Sequence, residues 1–395
     1  MRGLKSNLKK IFLRENVYDA ALNRIRRLFN EFDDVIISSS GGKDSTVIMN
    51  LALQVAWEKD RLPMKMVFLD QEAEWQSTID YHRKAMTDPR IEPLWIQCPF
   101  KLFNTTSINE PWLMCWKEGE EWMRDKEHYS IKKNVFGTDR FRDVFTHVID
   151  YLHPNSSACF IAGVRAEESP RRAIAMTADL TYKEITWGKQ LNKKKGHYTF
   201  YPIYDWSLSD VWKAIEVNKW RYNLLYDKLY RYGIAPKNMR VSNLHHETAI
   251  HNLFFLHEIE PKTWAKLSKR LAGIHTTKHI KKEEMMAVRS LPYMFRDWIE
   301  YRNYLTDNLI TIDHNRKKFH KKWHKMDLLY DEIALPDEMY KHQIKAILAN
   351  DWEYEQLKNW EERPHVIAYR KWKKGTLWID DPSDPNLRLI KDKYK

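Results

Sequence analysis

The residues of this chain that are best suited to chemistry form the short segment Ser38 to Ser45, which reads Ser-Ser-Ser-Gly-Gly-Lys-Asp-Ser. Two adjacent glycines let a backbone turn tightly and present its N–H groups to anionic oxygens. Hydroxyl donors and one lysine add to the attraction. The segment predicts a phosphate-binding loop whose residues are Ser38, Ser40, Gly41, Gly42, Lys43, Asp44 and Ser45. A helix-capping turn with Ser40 as the cap is the alternative.

Two common phosphate loops do not fit this segment. In a Walker loop the first glycine would fall at Ile37, and Ser or Thr would stand where Asp44 follows the lysine. A Rossmann G-x-G-x-x-G pattern is also absent from the sequence. The loop therefore indicates a different class of nucleotide-binding protein.

A second candidate anion site lies further along the chain, where three arginines stand beside two glutamates. Guanidinium groups pair bidentately with phosphate or sulfate, and neighbouring carboxylates can orient them. The alternative is a surface cluster of ion pairs. The residues concerned are Arg165, Glu167, Glu168, Arg171 and Arg172.

The elements around these residues predict an α/β fold. Ala21, Ile25 and Leu28 form one stripe of a predicted helix over 17–32, and the loop stands between a β-branched run and a second amphipathic helix. Strands alternating with helices predict a doubly wound, mainly parallel sheet. The predicted strands are Val35–Ile37, Met64–Leu69, Leu94–Ile96 and Cys159–Ala162.

The rest of the chain divides into an insertion and a basic tail. Residues 104–142 interrupt the α/β rhythm with Trp112, Trp116 and Trp122, which predicts either a lid over a site or a helical hairpin. We expect a nucleotide-binding domain over 1–235 and a mainly helical, basic domain over 236–395.

Four sequence blocks, in order, resemble the PP-loop ATP pyrophosphatase superfamily and its phosphoadenosine phosphosulfate (PAPS) reductases. The first resembles the SGGxDS motif, and the second resembles the strand segment that borders adenine and ribose in that family. The third resembles G-x-R-x-x-E-S-x-x-R, and the fourth resembles P-x-x-D-W-x-x-x-D-V-W with its Asn-x-Leu-Tyr continuation. These blocks are Ser40–Ser45, Val67–Asp70, Gly163–Arg172 and Pro202–Tyr226.

The resemblance implies an adenine nucleotide alpha hydrolase-like fold that binds ATP or PAPS together with Mg²⁺. It adds Asp70 and Gly163 to the nucleotide-binding residues, beside Arg165, Glu168, Arg171 and Arg172. Lys43, Asp44 and Arg165 are the expected catalytic residues, and Asp44 is also the candidate Mg²⁺ ligand.

The cysteines depart from the reductase pattern. Cys98, Cys115 and Cys159 are the only three, and none stands in the late Glu-Cys-Gly-Leu-His segment that carries the reductase nucleophile. Three cysteines also fall short of the four that hold an iron–sulfur cluster. We expect neither cysteine-dependent reduction nor an iron–sulfur cluster. The histidine pairs, such as His320 with His324, lack the further ligands of a structural zinc site.

The whole pattern looks closest to the IbrA-like branch, which carries a DUF3440-type C-terminal region. That resemblance implies a ParB/sulfiredoxin-like protein partner and a link to transcriptional regulation in enterobacteria and their prophages. A net charge of +12 also leaves nucleic acid open as a partner. The N-terminus lacks a signal-peptide pattern, and no apolar stretch is long enough to span a bilayer, so we expect a cytoplasmic protein without a membrane partner.

Three functions fit these residues. The first is ATP cleavage between the α and β phosphates, which yields pyrophosphate and adenylates an acceptor. The second is a nucleotide-sensing transcriptional co-regulator without turnover. The third is a protein that binds or modifies nucleic acid through its basic tail.

Overall fold

The computed structural model of the protein describes residues 13–103, 112–141, 143–244, 250–270, 288, 290–333, 337–348, 351, 354 and 357. The chain divides into two compact units. The first comprises the described parts of Met1–Leu102, Met114–Leu244 and Phe255–Arg270, and the second comprises those of Phe103–Leu113, His245–Phe254 and Leu271–Lys395. The predicted division at residue 235 stays a prediction.

The first unit is built on a six-stranded sheet. Its strands are β1 (Asp34–Ser38), β2 (Met64–Leu69), β3 (Ile91–Ile96), β6 (Ala158–Ala162), β7 (Gly188–Asn192) and β8 (His197–Phe200). They lie in the order β3-β2-β1-β6-β8-β7, and only the edge strand β7 is antiparallel to its neighbour. A separate two-stranded sheet pairs β4 (Phe100–Phe103) with β5 (Trp112–Cys115). The predicted mainly parallel α/β sheet is confirmed, although the β7–β8 hairpin was not among the predicted strands.

Helices cover the sheet and continue into the C-terminal region. They are α1 (Val17–Glu31), α2 (Lys43–Glu58), α3 (Gln76–Ala85), α4 (Val144–Leu152), α5 (Pro170–Thr177), α6 (Leu208–Val217), α7 (Leu225–Arg231), α8 (Ile250–Ile259), α9 (Pro261–Arg270), α10 (Trp298–Leu309), α11 (Asp313–Ile333) and α12 (Glu338–Leu348). The described part of the C-terminal region is mainly helical, as predicted.

Alternate residues of each central strand enter two different cores, because successive side chains of a strand point to opposite faces. Val35 and Ile37 pack with the apolar stripes of α1 and α2, whereas Ile36 packs with Phe160 and with residues of α4. The sheet is therefore buried on both faces, as a parallel sheet with helical crossovers requires.

The tryptophan-rich segment does not form a helical hairpin in its described part. Residues 112–141 contain β5 followed by turns, and residues 104–111 lie outside the described part. Trp116 is fully buried, and its indole nitrogen donates to the carbonyl oxygen of Asp70 at 2.7 Å. The segment is thus fastened to the end of β2, and the lid interpretation stays a prediction.

The second unit has its own helical core, in which Phe319 and Trp323 of α11 pack with Ile344 of α12. The basic run on α11 leaves Lys321 and Lys325 exposed, while the stretch Arg370 to Lys374 lies outside the described residues. Within the described ranges, no helix is both long and apolar enough to cross a membrane.

Candidate phosphate-binding site

The predicted loop lies between the end of β1 at Ser38 and the start of α2 at Lys43. Gly41 has a φ of +72°, and a Cβ there would lie 2.8 Å from His82 Cε1 and 2.9 Å from Thr78 Cγ2. Only glycine fits this turn. Gly42, not Ser40, is the residue that precedes the helix, and no side chain caps it. The helix-capping alternative is therefore wrong.

The start of α2 presents backbone donors to an anion. The first N–H groups of a helix have no acceptor within the helix, and the helix dipole adds positive potential there. Of these groups, the amide of Lys43 donates to the Tyr226 hydroxyl at 3.1 Å. A phosphate oxygen would have to displace this hydroxyl to accept from the same amide.

Three buried charges meet beside this turn. The Asp44 carboxylate accepts from Lys43 Nζ at 2.9 Å through one oxygen and from Arg165 Nε at 2.5 Å through the other. Lys43 and Arg165 are each only 4% exposed. Burial lowers the pKa of Lys43, and the adjacent carboxylate of Asp44 opposes this change. Asp44 lies between the two cations, and Glu167 also pairs with Arg165 at 3.1 Å, so a phosphate group would compete with these carboxylates for Lys43 and Arg165.

Gly163 brings the end of β6 against the start of α2. A Cβ on Gly163 would lie 2.4 Å from the carbonyl carbon of Asp44 and 2.6 Å from the amide nitrogen of Ser45.

The direction in which strands are added to the sheet reverses at β1. β2 and β3 lie on one side of β1, and β6 lies on the other side. Ligands of open α/β sheets bind at the carboxyl ends of strands at such a reversal. The loop and the Arg165 segment meet at that point.

The remaining residues of the Arg165 segment pair mainly with one another. Arg172 forms an ion pair with Glu168, and Arg165 Nη1 also lies 3.1 Å from Glu167. Burial lowers the pKa of Arg172, and the nearby charge of Arg240 adds to this effect. The side chain of Arg171 lies outside the described part, so its predicted role stays a prediction.

Sequence reasoning missed Arg240, which acts electrostatically on both Lys43 and Arg172. Its side chain is exposed, and it follows the short turn Pro236–Asn238. No motif marks it, because it lies almost 200 positions from the loop. Sequence reasoning also gave no role to Asn223, whose side-chain amide donates to the carbonyl oxygen of Gly41 at 3.1 Å.

Asp70 has its carboxylate occupied within the protein. The side chain is fully buried and accepts from Trp95 Nε1 and Gln97 Nε2, both at 2.9 Å, as well as from the Arg124 guanidinium. The predicted contact between Asp70 and the nucleotide stays a prediction. In this structure its carboxylate fastens the end of β2 to β3 and to the inserted segment.

The side chains at the loop do not form a site for a resident Mg²⁺. Both oxygens of Asp44 are engaged by cations, and the described residues contain no group of three or more potential metal ligands. The prediction of Asp44 as a metal ligand would require one of its ion pairs to open. Magnesium at this loop would therefore arrive with the nucleotide, as part of the substrate Mg·ATP.

The three cysteines are buried apart from the loop. Burial raises the pKa of each thiol, to about 12 for Cys98 and well above the ordinary value for Cys115 and Cys159. A thiol must be deprotonated to act as a nucleophile. These side chains are therefore poor candidates for nucleophilic attack.

The chain belongs to the phosphoadenosine phosphosulfate reductase domain family, whose profile matches residues 34–232. The profile of a domain of unknown function, DUF3440, matches residues 233–368. The predicted relation to PAPS reductases with a DUF3440-type region is thus confirmed.

Comparison with individual proteins gives more distant similarities. An uncharacterized protein of Escherichia coli (strain K12), YbdN, is 29% identical over 279 residues, which are 68% of each chain. The FMN adenylyltransferase of Candida glabrata, solved with FMN and an ATP analogue, is 15% identical with a TM-score of 0.36, covering 60% of this chain and 68% of that one. The PAPS reductase of Candida auris is 12% identical with a TM-score of 0.31, covering 55% of this chain and 93% of that one.

Proposed function

We propose that this protein binds Mg·ATP at the loop Ser40–Ser45 and cleaves it between the α and β phosphates. The observation that carries the proposal is the buried cluster of Lys43, Asp44 and Arg165 beside the start of α2. It combines helix N–H groups, two cations and a tight glycine turn at the carboxyl end of the sheet. Each of these favours a polyphosphate.

In the proposed reaction an acceptor oxygen attacks the α-phosphorus. A bond forms between them while the bond from the α-phosphorus to the bridging oxygen breaks, and pyrophosphate leaves with that electron pair. A hydroxyl acceptor gives its proton to water, whereas a carboxylate acceptor has none to lose. Lys43 and Arg165 would stabilise the charge that grows on the phosphate oxygens, because they are held in place before the reaction.

Binding would rearrange the charges at Asp44. A phosphate competes with this carboxylate for Lys43 and Arg165, so the pairs seen without a nucleotide would loosen on binding. The backbone amide of Lys43 would exchange the Tyr226 hydroxyl for a phosphate oxygen. Asp44 would then hold the two cations in position without neutralising them fully.

The reaction is tested with ATP labelled at the α-phosphate, and with the ParB/sulfiredoxin-like partner that the resemblance to the IbrA-like branch suggests. We expect labelled AMP or an AMP-modified acceptor, with pyrophosphate as the other product. Labelled ADP, or no product in the presence of the partner, would contradict the proposal. Tight binding without product would favour a nucleotide sensor.

A matched pair of variants tests the site. Lys43→Ala removes a buried cation at the start of α2, and we expect it to weaken ATP binding at least tenfold. Lys59→Ala removes an exposed lysine at the other end of the same helix, where its ammonium contacts Asn30 at 2.8 Å. The control should bind ATP as the unaltered protein does. Equal effects would show that the loop is not the nucleotide site.

A further inference from the structure

A groove with an aromatic lining runs along α3 on the first unit, and no phosphate-loop residue lines it. It consists of two adjoining cavities of about 430 and 480 Å³ that share the side chains of Tyr81, Lys84, Trp220 and Arg221. α3 forms one wall, and the segment 219–224 that follows α6 forms the other. Each cavity has a volume within the range of small-ligand sites.

The groove carries an excess of positive charge. Its two acidic side chains, Asp80 and Asp88, already have partners: Asp88 accepts from the Arg90 guanidinium, and Asp80 accepts from Gln76 at 2.8 Å. Lys84 and Arg221 are exposed, and no carboxylate of the described residues lies within ion-pair distance of either. The lining has five cationic side chains, of which Arg90, Lys219 and Lys228 are paired with Asp88, Glu216 and Glu260. Lys84 and Arg221 therefore carry the excess charge of the groove.

The aromatic rings of the groove are held by packing behind them. Trp220 stacks on Tyr18 with ring centroids 6.5 Å apart and planes 20° apart. Tyr222 meets Trp212 edge to face at 5.4 Å, and its hydroxyl donates to Asp227 at 2.9 Å. Both rings are half-buried, so each is fixed and still presents part of its surface to the groove.

We propose that this groove binds single-stranded nucleic acid. Fixed aromatic rings offer faces on which bases stack, and unpaired cations beside them neutralise the phosphates that link those bases. Two adjoining cavities suit two consecutive nucleotides better than one compact anion. Bases in a duplex stay stacked on one another and do not reach the rings, so the groove prefers single strands.

The proposal is tested by fluorescence anisotropy with the full-length protein and labelled 12-nucleotide single strands of DNA and RNA. The double variant Lys84→Glu with Arg221→Glu should weaken binding at least tenfold. It should also reduce the slope of log K against log salt by about 1.4, the value for two lost phosphate contacts on a single strand. Thermal melting checks that the variant remains folded.

The matched control is Lys189→Glu with Lys262→Glu, which makes the same change in charge at two exposed lysines outside the groove. It should keep affinity within about threefold. Lys43→Ala should also leave oligonucleotide binding unchanged, so that failure of this proposal and failure of the ATP proposal can be told apart.

Four results would overturn the proposal. They are the absence of binding at low salt, equal losses in the groove variant and the control, equal affinity for a duplex of the same length, and displacement of the strand by polyglutamate at an equal concentration of charge. The last result would assign the groove to an acidic peptide.

Discussion

Replacing Gly163 with alanine should disrupt the phosphate site while leaving the sheet intact. The new methyl carbon would lie 2.4 Å from the Asp44 carbonyl carbon and 2.6 Å from the carbonyl oxygen of the same residue. An ordinary contact between such atoms is about 3.4 Å or more. Either the end of β6 or the start of α2 must therefore move by about 1 Å. β6 is anchored in the parallel sheet, and the apolar side of α2 is packed in the core against it.

The size of the effect follows from this displacement. Overpacking of this kind typically costs about 1–3 kcal/mol of stability. A shift of about 1 Å in a site can reduce its function about 100-fold. Arg165 follows Gly163 by two residues, so its pairing with Asp44 would shift too. We expect ATP affinity to fall between about 10-fold and 100-fold, measured by isothermal titration calorimetry beside urea unfolding.

Gly196→Ala provides the control for this prediction. Gly196 has a φ of +70° in the turn between β7 and β8, and a Cβ there would lie 3.5 Å from Ser157 Cβ, an ordinary contact. This turn precedes His197, which pairs with Ala158 at the start of β6, so it lies at the opposite end of the sheet from the loop. We expect a stability loss of about 1–2 kcal/mol from the left-handed backbone and unchanged ATP affinity. If Gly163→Ala bound ATP as tightly as this control, the close approach would not matter for the site.

Three further predictions concern charged side chains. Burial, and then the charge of Asp70, raises the pKa of Glu74 to about 7. The folded protein therefore binds more protons than the unfolded chain between about pH 4.5 and pH 7, and its stability falls as the pH rises through this range. Glu74→Gln should remove this pH dependence, which is worth on the order of 2–3 kcal/mol. Arg270→Gln should cost about 3–5 kcal/mol in urea unfolding, because it leaves the fully buried Glu72 without the guanidinium that lies 2.8 Å from it. Arg240→Ala should weaken ATP binding about threefold to tenfold at low salt, and less at high salt, as expected of an exposed cation near the loop.

Each of these variants has its own comparison. For Glu74→Gln, the difference in unfolding free energy from the unaltered protein is measured from pH 5 to pH 8. A difference that does not change with pH would refute the claim that Glu74 is buried with a raised pKa. Lys269→Gln changes the exposed neighbour of Arg270 and should cost less than about 0.5 kcal/mol, so equal losses would contradict the buried pair. Lys237→Ala removes a cation three residues before Arg240. If it lowered ATP affinity as much as Arg240→Ala does, the net positive charge of the surface, and not Arg240 itself, would be responsible.

The sequence by itself was enough to predict the glycine turn that we propose as the phosphate site, and the sheet beneath it. The β-branched run Val35–Ile37, the glycine pair and the amphipathic helix are contiguous, so local backbone preferences and hydrophobic periodicity determine them together. Helix boundaries also depend on local chemistry, since Ser207 caps α6 in a capping box with Asp210.

Only the tertiary structure decided which charges meet at the loop. Arg165 reaches Asp44 because β1 and β6 are neighbours and Gly163 allows close approach, while Arg240 arrives from a turn that no motif marks. The same packing engaged the Asp70 carboxylate within the protein, although the resemblance of its block to the family's adenine-bordering segment implied a ligand contact. The spacing of residues along the chain determines local conformation. Distances between side chains that are remote in sequence depend on strand order and packing, because a displacement of about 1 Å changes which groups pair.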